Sequence, residues 1–167
     1  AQLGSDEDCL SWQGSQVTMI GFDELTHFSE YQFFYMLSRN RTDSGVAPYV
    51  RATCNPDADS WVAEFISWWI DPDTGYPIPE RSGKVRWMVR LNEAIYWFDT
   101  RQEAIDAAIE NGMDYEKAVI MAKSVTFIAS TLQDNKILMK NDPGYMANLM
   151  ALALVERERL LYGNWKI

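Results

Sequence analysis

The chain opens its regular pattern at 16–22, QVTMIGF, a short run of apolar and β-branched residues that stops at the acids Asp23 and Glu24. That is the pattern of a buried strand delivering carboxylates at its C-terminal edge. Ser29 followed by Gln32 is a capping box, and it opens a helix over 30–40 whose apolar residues lie on nearly every side, so the helix is expected to be buried. The stretch 49–54, YVRATC, reads as a second strand, stopped by Asn55 and Pro56 because proline has no N–H for a ladder. Ser60 is placed to cap a helix in which Val62, Phe65, Ile66 and Trp69 share one face, with Asp71 before Pro72 as its end.

Between 71 and 83 the sequence DPDTGYPIPERSG is dense in proline and glycine, which marks an exposed loop and a subdomain seam. The segment 84–90 then sets Val85, Trp87 and Val89 against Lys84, Arg86, Met88 and Arg90, a strand with one wet face, and 93–98 follows as its pair. Thr100 and Glu103 form another capping box. Ala104, Ile105, Ala108 and Ile109 make the buried stripe, and Gly112 is the left-handed stop. A short helix over 115–122 leads into a strand at 124–130, SVTFIAS. Asp142 with Pro143 starts a helix that 151–161 continues or restarts and Gly163 ends. Helices alternating with strands make the class α/β.

The length of 167 residues, 47% of them hydrophobic, suits one domain with a continuous core. Aromatic residues are spread along the chain, as packing residues are. A net charge of -9 argues against this chain alone gripping DNA, since nonspecific affinity comes from Lys and Arg neutralising phosphates. His27 as the only histidine and the lack of a CxxC pair exclude a zinc cage and leave a hard cation held by carboxylates. Cys9 and Cys54 show no framework spacing and are expected to be reduced. No apolar run approaches the ~18 residues of a membrane span. The acid-rich opening AQLGSDEDC is unlike a secretory signal, so a cytoplasmic setting is expected.

Adjacent acids at the end of a parallel strand stand where such sheets bind ligands. In nucleotide hydrolysis one acid can hold magnesium while the next orients the attacking water. The same two residues also fit a solvated acidic turn, and Asn55-Pro56 also fits a plain turn. Arg39 and Arg41, one turn beyond a helix, can offer guanidinium to phosphate or complement the helix dipole. The basic face Lys84, Arg86 and Arg90 suits either DNA or solvent. His27 is expected to bond a backbone carbonyl, and Asp134 with Asn135 to cap a turn. An acid/base pair acting on one substrate is disfavoured, because neighbours on a strand face opposite ways.

Taken in order, TMIGFDE, LTHFSEYQFFYMLSRNR, YVRATCNP, KSVTFIASTLQDN and ERERLLYGNW resemble the successive motifs of the ATPase domain of phage terminase large subunits. The resemblance implies a partial P-loop NTPase of the RecA-like (ASCE) kind, a three-layer sandwich with a mainly parallel sheet and a small lid-like insertion. Its parts are then a core at 1–70, a loop and lid over 71–123, and a closing strand with helices over 124–167. It further implies that Asp23 is the metal-associated Walker B acid and Glu24 the catalytic carboxylate. Thr53, Cys54 and Asn55 form the coupling motif, and Arg39 and Arg41 are the phosphate-contacting candidates. The cofactors implied are Mg2+ and ATP. Partners are double-stranded DNA, a small terminase subunit and a portal protein, with a ring of identical subunits on the portal in the cytoplasm of a bacterial host.

The sequence departs from that pattern in places. No GxxxxGK[ST] loop occurs: before Gly83-Lys84 the first glycine's place is taken by Ile78, and after it Val85 replaces the Ser or Thr. The Walker A strand is therefore expected to be missing, and the chain by itself is expected not to hydrolyse ATP; the resemblance places the family's nuclease domain beyond the GxW segment, so that domain is expected to be missing too. Asp57 and Ala58 stand where glycines are common, and Lys136 where proline is usual. The alternative reading is a non-catalytic protein-interaction module of another ASCE-type ATPase.

Overall fold

The computed structural model describes residues 3–167; residues 1 and 2, with which the acidic opening stretch begins, lie outside the described part. The chain forms two compact units. One comprises the residues up to Tyr76 together with Thr131–Ile167, the other Pro77–Ser130.

In the first unit β1 (Met19–Phe22) and β2 (Tyr49–Ala52) pair in parallel, Met19 opposite Tyr49 through Phe22 opposite Ala52. Parallel neighbours need a crossover, and α1 (Glu30–Leu37) lies in it. The expected capping box is present: the Ser29 hydroxyl accepts from the Gln32 N–H at 3.1 Å, and Gln32 Oε1 accepts from the Ser29 N–H at 2.9 Å. The Ser29 hydroxyl also donates to Asp6 Oδ1 at 2.6 Å, tying α1 to a 3-10 turn over Asp6–Trp12 that buries Cys9. Past α1, the Asn40 amide donates to the carbonyls of Val17, Thr18 and Tyr49 at 3.0, 3.0 and 3.2 Å, so one side chain clamps the starts of both strands.

β1 alternates in burial, with Ile20 and Phe22 inside and Met19 and Gly21 outside. The covered face meets an aromatic cluster. Phe22 packs on Phe28 and Phe33 at 5.2 and 5.4 Å, and Phe33 and Phe34 continue it to Trp61 and Phe65. The Trp61 indole N–H donates to the Phe28 carbonyl at 2.8 Å, which satisfies the polar atom that burial would otherwise strand. The aromatic residues expected to pack do so. The strand expected to be buried is covered on one face only, since Ile20 and Phe22 are inside and Met19 and Gly21 are exposed.

The helix expected after Ser60 is shorter than its apolar stripe. α2 (Trp61–Phe65) gives way to a 3-10 turn at Ser67–Trp69, yet Val62, Ile66 and Trp69 are all buried. Ser60 stands at the N-cap, but its hydroxyl donates back to the Asp57 carbonyl at 2.7 Å instead of accepting from the helix. At the other end of the chain, α5 (Lys136–Asn141), α6 (Gly144–Met150) and α7 (Leu154–Leu160) follow one another. The sequence pattern missed α5. Asp134 and Asn135 cap as expected: Asp134 Oδ2 accepts from the Thr131 N–H at 2.7 Å, and Asn135 Oδ1 from the Leu138 N–H at 3.0 Å. Asp142 does not cap α6, whose N-cap is Pro143.

The residues after α7 close on the loop at 71–76. Trp165 N–H donates to the Gly75 carbonyl at 2.8 Å, and Lys166 Nζ reaches the carbonyls of Pro72 and Asp73 at 3.0 Å each. Gly75 has φ +81, and a methyl group there would run into Asn164 Oδ1 and Lys166 Cβ. Only glycine meets both demands.

The second unit is antiparallel. β3 (Val85–Leu91) lies between β4 (Ala94–Phe98) and β5 (Lys123–Thr126), with Leu91 opposite Ala94 and Val85 opposite Thr126. Its core joins Val89 and Leu91 to Ala104, Ile105 and Ala108 of α3 (Arg101–Glu110) and to Ala118 of α4 (Tyr115–Met121). Thr100 and Glu103 make the expected box. At the helix end Gly112 has φ +90, with Met113 N–H on the Ala108 carbonyl at 3.1 Å. Ile109, expected in the stripe, is 41% exposed.

Several expectations for this region are corrected. Met88, placed on a wet face by its alternation, is 4% exposed, and Arg86 on the same face is engaged with the Phe98 carbonyl at 3.1 Å and Asp99 at 3.2 Å. The strand expected at 124–130 ends at Thr126 and pairs antiparallel with β3, within the unit Pro77–Ser130. Among the described residues the only parallel pair is β1 with β2. The mixed α/β class holds, with a small parallel sheet and an antiparallel one in place of a mainly parallel sheet.

Candidate functional site

The parallel pair positions the acids. Beyond the last paired residues the two strands stay bonded: the Thr53 N–H donates to the Phe22 carbonyl at 2.9 Å, and the Leu25 N–H to the Thr53 carbonyl at 2.8 Å. Asp23 and Glu24 are therefore held beside Thr53 and Asn55, at the C-terminal edge where parallel strands present ligand groups.

Within that frame each acid has its own partner. The Thr53 hydroxyl donates to Asp23 Oδ1 at 2.8 Å, and the Glu24 N–H points back to the same hydroxyl at 3.4 Å. The Asn55 side-chain amide donates to both Glu24 carboxylate oxygens, at 3.0 and 3.2 Å, with the Asn55 backbone N–H on Oε2 at 3.3 Å. Asp23, Thr53 and Asn55 are exposed and Glu24 half-buried, so the acids face solvent and not a closed core.

Glu24 has φ 55 and ψ 62, a left-handed conformation uncommon outside glycine. It thereby leaves the strand, and the alternation that would send Asp23 and Glu24 to opposite faces no longer applies. Both side chains meet the 53–55 segment, which removes the objection raised from strand geometry alone.

Cys54, between the two partners, is half-buried, and its thiol is pushed up to about 11, chiefly by burial and then by the Glu24 carboxylate. It stays a neutral thiol at physiological pH, a packing group and no nucleophile. Cys9 and Cys54 are both free.

The other sequence candidates are not brought to the acids. Arg39 stacks its guanidinium over Tyr35 at 5.5 Å and bonds the Ser38 hydroxyl at 3.0 Å, while its carbonyl accepts from the Val17 N–H. Val17 precedes β1 and Asp23 follows it, a separation on the order of 20 Å along an extended chain. Arg41, two residues on, is exposed, and its backbone N–H donates to the Arg39 carbonyl at 3.0 Å. His27 is exposed at the end of a 3-10 turn, its backbone N–H on the Glu24 carbonyl at 2.9 Å.

Sequence reasoning overlooked Arg159. From α7 its Nε donates to the Pro56 carbonyl at 2.8 Å, next to Asn55. Its signal was available only as a place in the segment ERERLLYGNW.

For a cation, the oxygen donors at hand are the Asp23 carboxylate and the Thr53 hydroxyl. Among the described residues no group of three or more His, Cys, Asp or Glu converges to cage a metal. That donor set can contribute ligands to a hard cation that keeps most of its shell as water, and does not make a protein-only cage. No helix among the described residues is long and apolar enough to cross a membrane.

No curated relative and no solved structure matches the chain at a significant level. A family model does match, from residue 3 to residue 167, and since that leaves out only the first two positions, the chain belongs to the family described as terminase large subunit, T4likevirus-type, N-terminal.

Proposed function

We propose that this chain carries the water-activating half of an ATP-hydrolysing centre that drives double-stranded DNA into a viral prohead. Family membership carries a role in DNA packaging; the motor chemistry is the further step. One observation supports it above the others: Asn55 grips both oxygens of Glu24 while Thr53 holds Asp23, so two carboxylates are separately oriented beside one polar turn.

In this reading Asp23, with the Thr53 hydroxyl, faces magnesium, and the metal supplies charge neutralisation for the triphosphate. Glu24 orients and deprotonates the attacking water. Asn55 holds the carboxylate in place before phosphate leaves and changes its hydrogen bonding afterwards, which is how hydrolysis becomes motion. The partial P-loop fold that the resemblance implies belongs to the same reading: no GxxxxGK[ST] stretch lies in the 167 residues, so these residues by themselves supply no phosphate cradle and are expected not to turn over ATP. A role for Arg39 or Arg41 toward phosphate is played across a subunit boundary in a ring, since within one chain they sit at the far end of β1. With a net charge of -9, the grip on DNA falls to other parts of the assembly, with the small subunit and the portal as partners in the host cytoplasm.

The test uses the full-length gene product. Glu24→Ala abolishes ATP turnover while nucleotide binding, followed by titration with Mg-ATP, stays within a few-fold of wild type, because the carboxylate acts on water and not on the nucleotide. Unchanged turnover in that variant would falsify the assignment.

A further inference from the structure

We infer that Arg159 is a positioning residue for the Glu24 carboxylate, acting through the turn that carries Asn55; the inference rests on the hydrolytic reading of the site given above. The connection is short. Arg159 Nε donates to the Pro56 carbonyl at 2.8 Å, Pro56 is buried, and the residue before it is Asn55, whose amide holds both oxygens of Glu24.

The turn needs such a hold from outside. Pro56 has no N–H, so its own peptide contributes no donor toward the neighbouring strand. Asn55 is exposed, and its backbone N–H is already directed at Glu24. The carbonyl of Pro56 is thus the anchoring point just after the grip on Glu24, and a guanidinium N–H fills it. α7 is itself fixed: Glu158, beside Arg159, accepts from the Tyr76 hydroxyl and gives its carbonyl to the Asn164 N–H at 2.9 Å. An arginine on a secured helix turn sets the Pro56 carbonyl, and the Asn55 amide is set in consequence. Displacements of a fraction of an ångström in such a chain change rates, because the attacking water must be aimed to within a narrow range.

Arg159 acts by donating a hydrogen bond and not by bringing positive charge to phosphate, and this separates it from a cationic catalytic arginine. A glutamine amide nitrogen stands the same number of bonds from the main chain as arginine Nε and donates in the same way without charge. A methionine fills similar space and donates nothing.

The experiment measures steady-state ATP hydrolysis by the full-length gene product. Arg159→Met is expected to lower kcat about ten-fold with KM within two-fold, and Arg159→Gln to restore most of kcat. In the Asn55→Ala background, Arg159→Met is expected to add no further loss, since two residues that work through one contact are not additive. A parallel readout, amide hydrogen exchange of the peptide covering Thr53 to Asp57, is expected to accelerate in Arg159→Met and not in Arg159→Gln. Additive losses, a glutamine variant as slow as the methionine one, or unchanged exchange at Thr53 to Asp57 each overturn the inference. Should the wild-type protein hydrolyse no ATP while exchange responds as expected, the hydrolytic reading falls and the hold of Arg159 on the turn stands.

Discussion

The Asn55 side-chain amide spans both carboxylate oxygens of Glu24, at 3.0 and 3.2 Å. An amide has two N–H donors and a carboxylate only acceptors, so the contact depends on the identity of the amide. Asn55→Asp replaces donors by a like charge against Glu24. ATP turnover by the full-length protein is expected to fall on the order of 100-fold, with nucleotide affinity little changed. A variant as fast as wild type would detach Asn55 from the chemistry.

Cys54 reports on the same carboxylate. With its thiol raised to about 11 by burial and Glu24, alkylation by iodoacetamide at about pH 8 should run roughly two orders of magnitude slower than for an ordinary cysteine, because only the thiolate reacts. Glu24→Gln removes the electrostatic part of that elevation and should speed the reaction. Mass spectrometry of the modified peptide reads both rates, and equal rates in the two proteins would place Glu24 away from the thiol.

Asn40 serves three carbonyls at the base of the parallel pair. Asn40→Ala leaves partly buried acceptors without that donor and is expected to cost about 1–3 kcal/mol in urea denaturation. Exchange of the Tyr49 N–H, which bonds the Thr18 carbonyl at 3.0 Å, should accelerate. A variant as stable as the parent would show that water replaces the amide without loss.

Acid should weaken the protein through its caps and turns. Asp71 is held below the usual carboxylate range chiefly by the Thr74 N–H, Glu103 by the Thr100 hydroxyl, Asp114 by Lys117 and Asp134 by the Thr131 N–H. Each folded value lies under its unfolded value of about 4. The stabilisation is therefore fully present above pH ~4 and is lost as pH falls through the lower folded values. Denaturation midpoints should be level near neutrality and decline below pH ~4, and the decline should be shallower in a Glu103→Gln, Asp134→Asn double variant. Parallel declines in the two proteins would assign acid lability to other groups.

The caps were legible in the sequence because they are made within a few residues. Ser29 with Gln32, Thr100 with Glu103 and the stop at Gly112 need no knowledge of where the rest of the chain goes. The acids beside Thr53 and Asn55 were legible only through the order of several segments, since a parallel partner has to return across a whole helix. What stayed hidden is of longer range. Nothing in SVTFIAS says that it pairs antiparallel with β3, and Arg159 lies 103 residues from Pro56. Burial on the second face of β3 was hidden for the same reason: Met88 follows an alternation that only its distant neighbours decide.

The left-handed backbone at Glu24 makes the acid a loaded part. Holding an L-residue there costs on the order of 1–2 kcal/mol, set against the bonds from Asn55 and from the Thr53 segment. Main-chain bonds hold it on both sides, from the Thr53 N–H to the Phe22 carbonyl and from the Leu25 N–H to the Thr53 carbonyl. Glutamate at this position is thus aimed by its main chain as much as by its rotamer, so replacing it with a β-branched residue would disturb the loop itself as well as the charge.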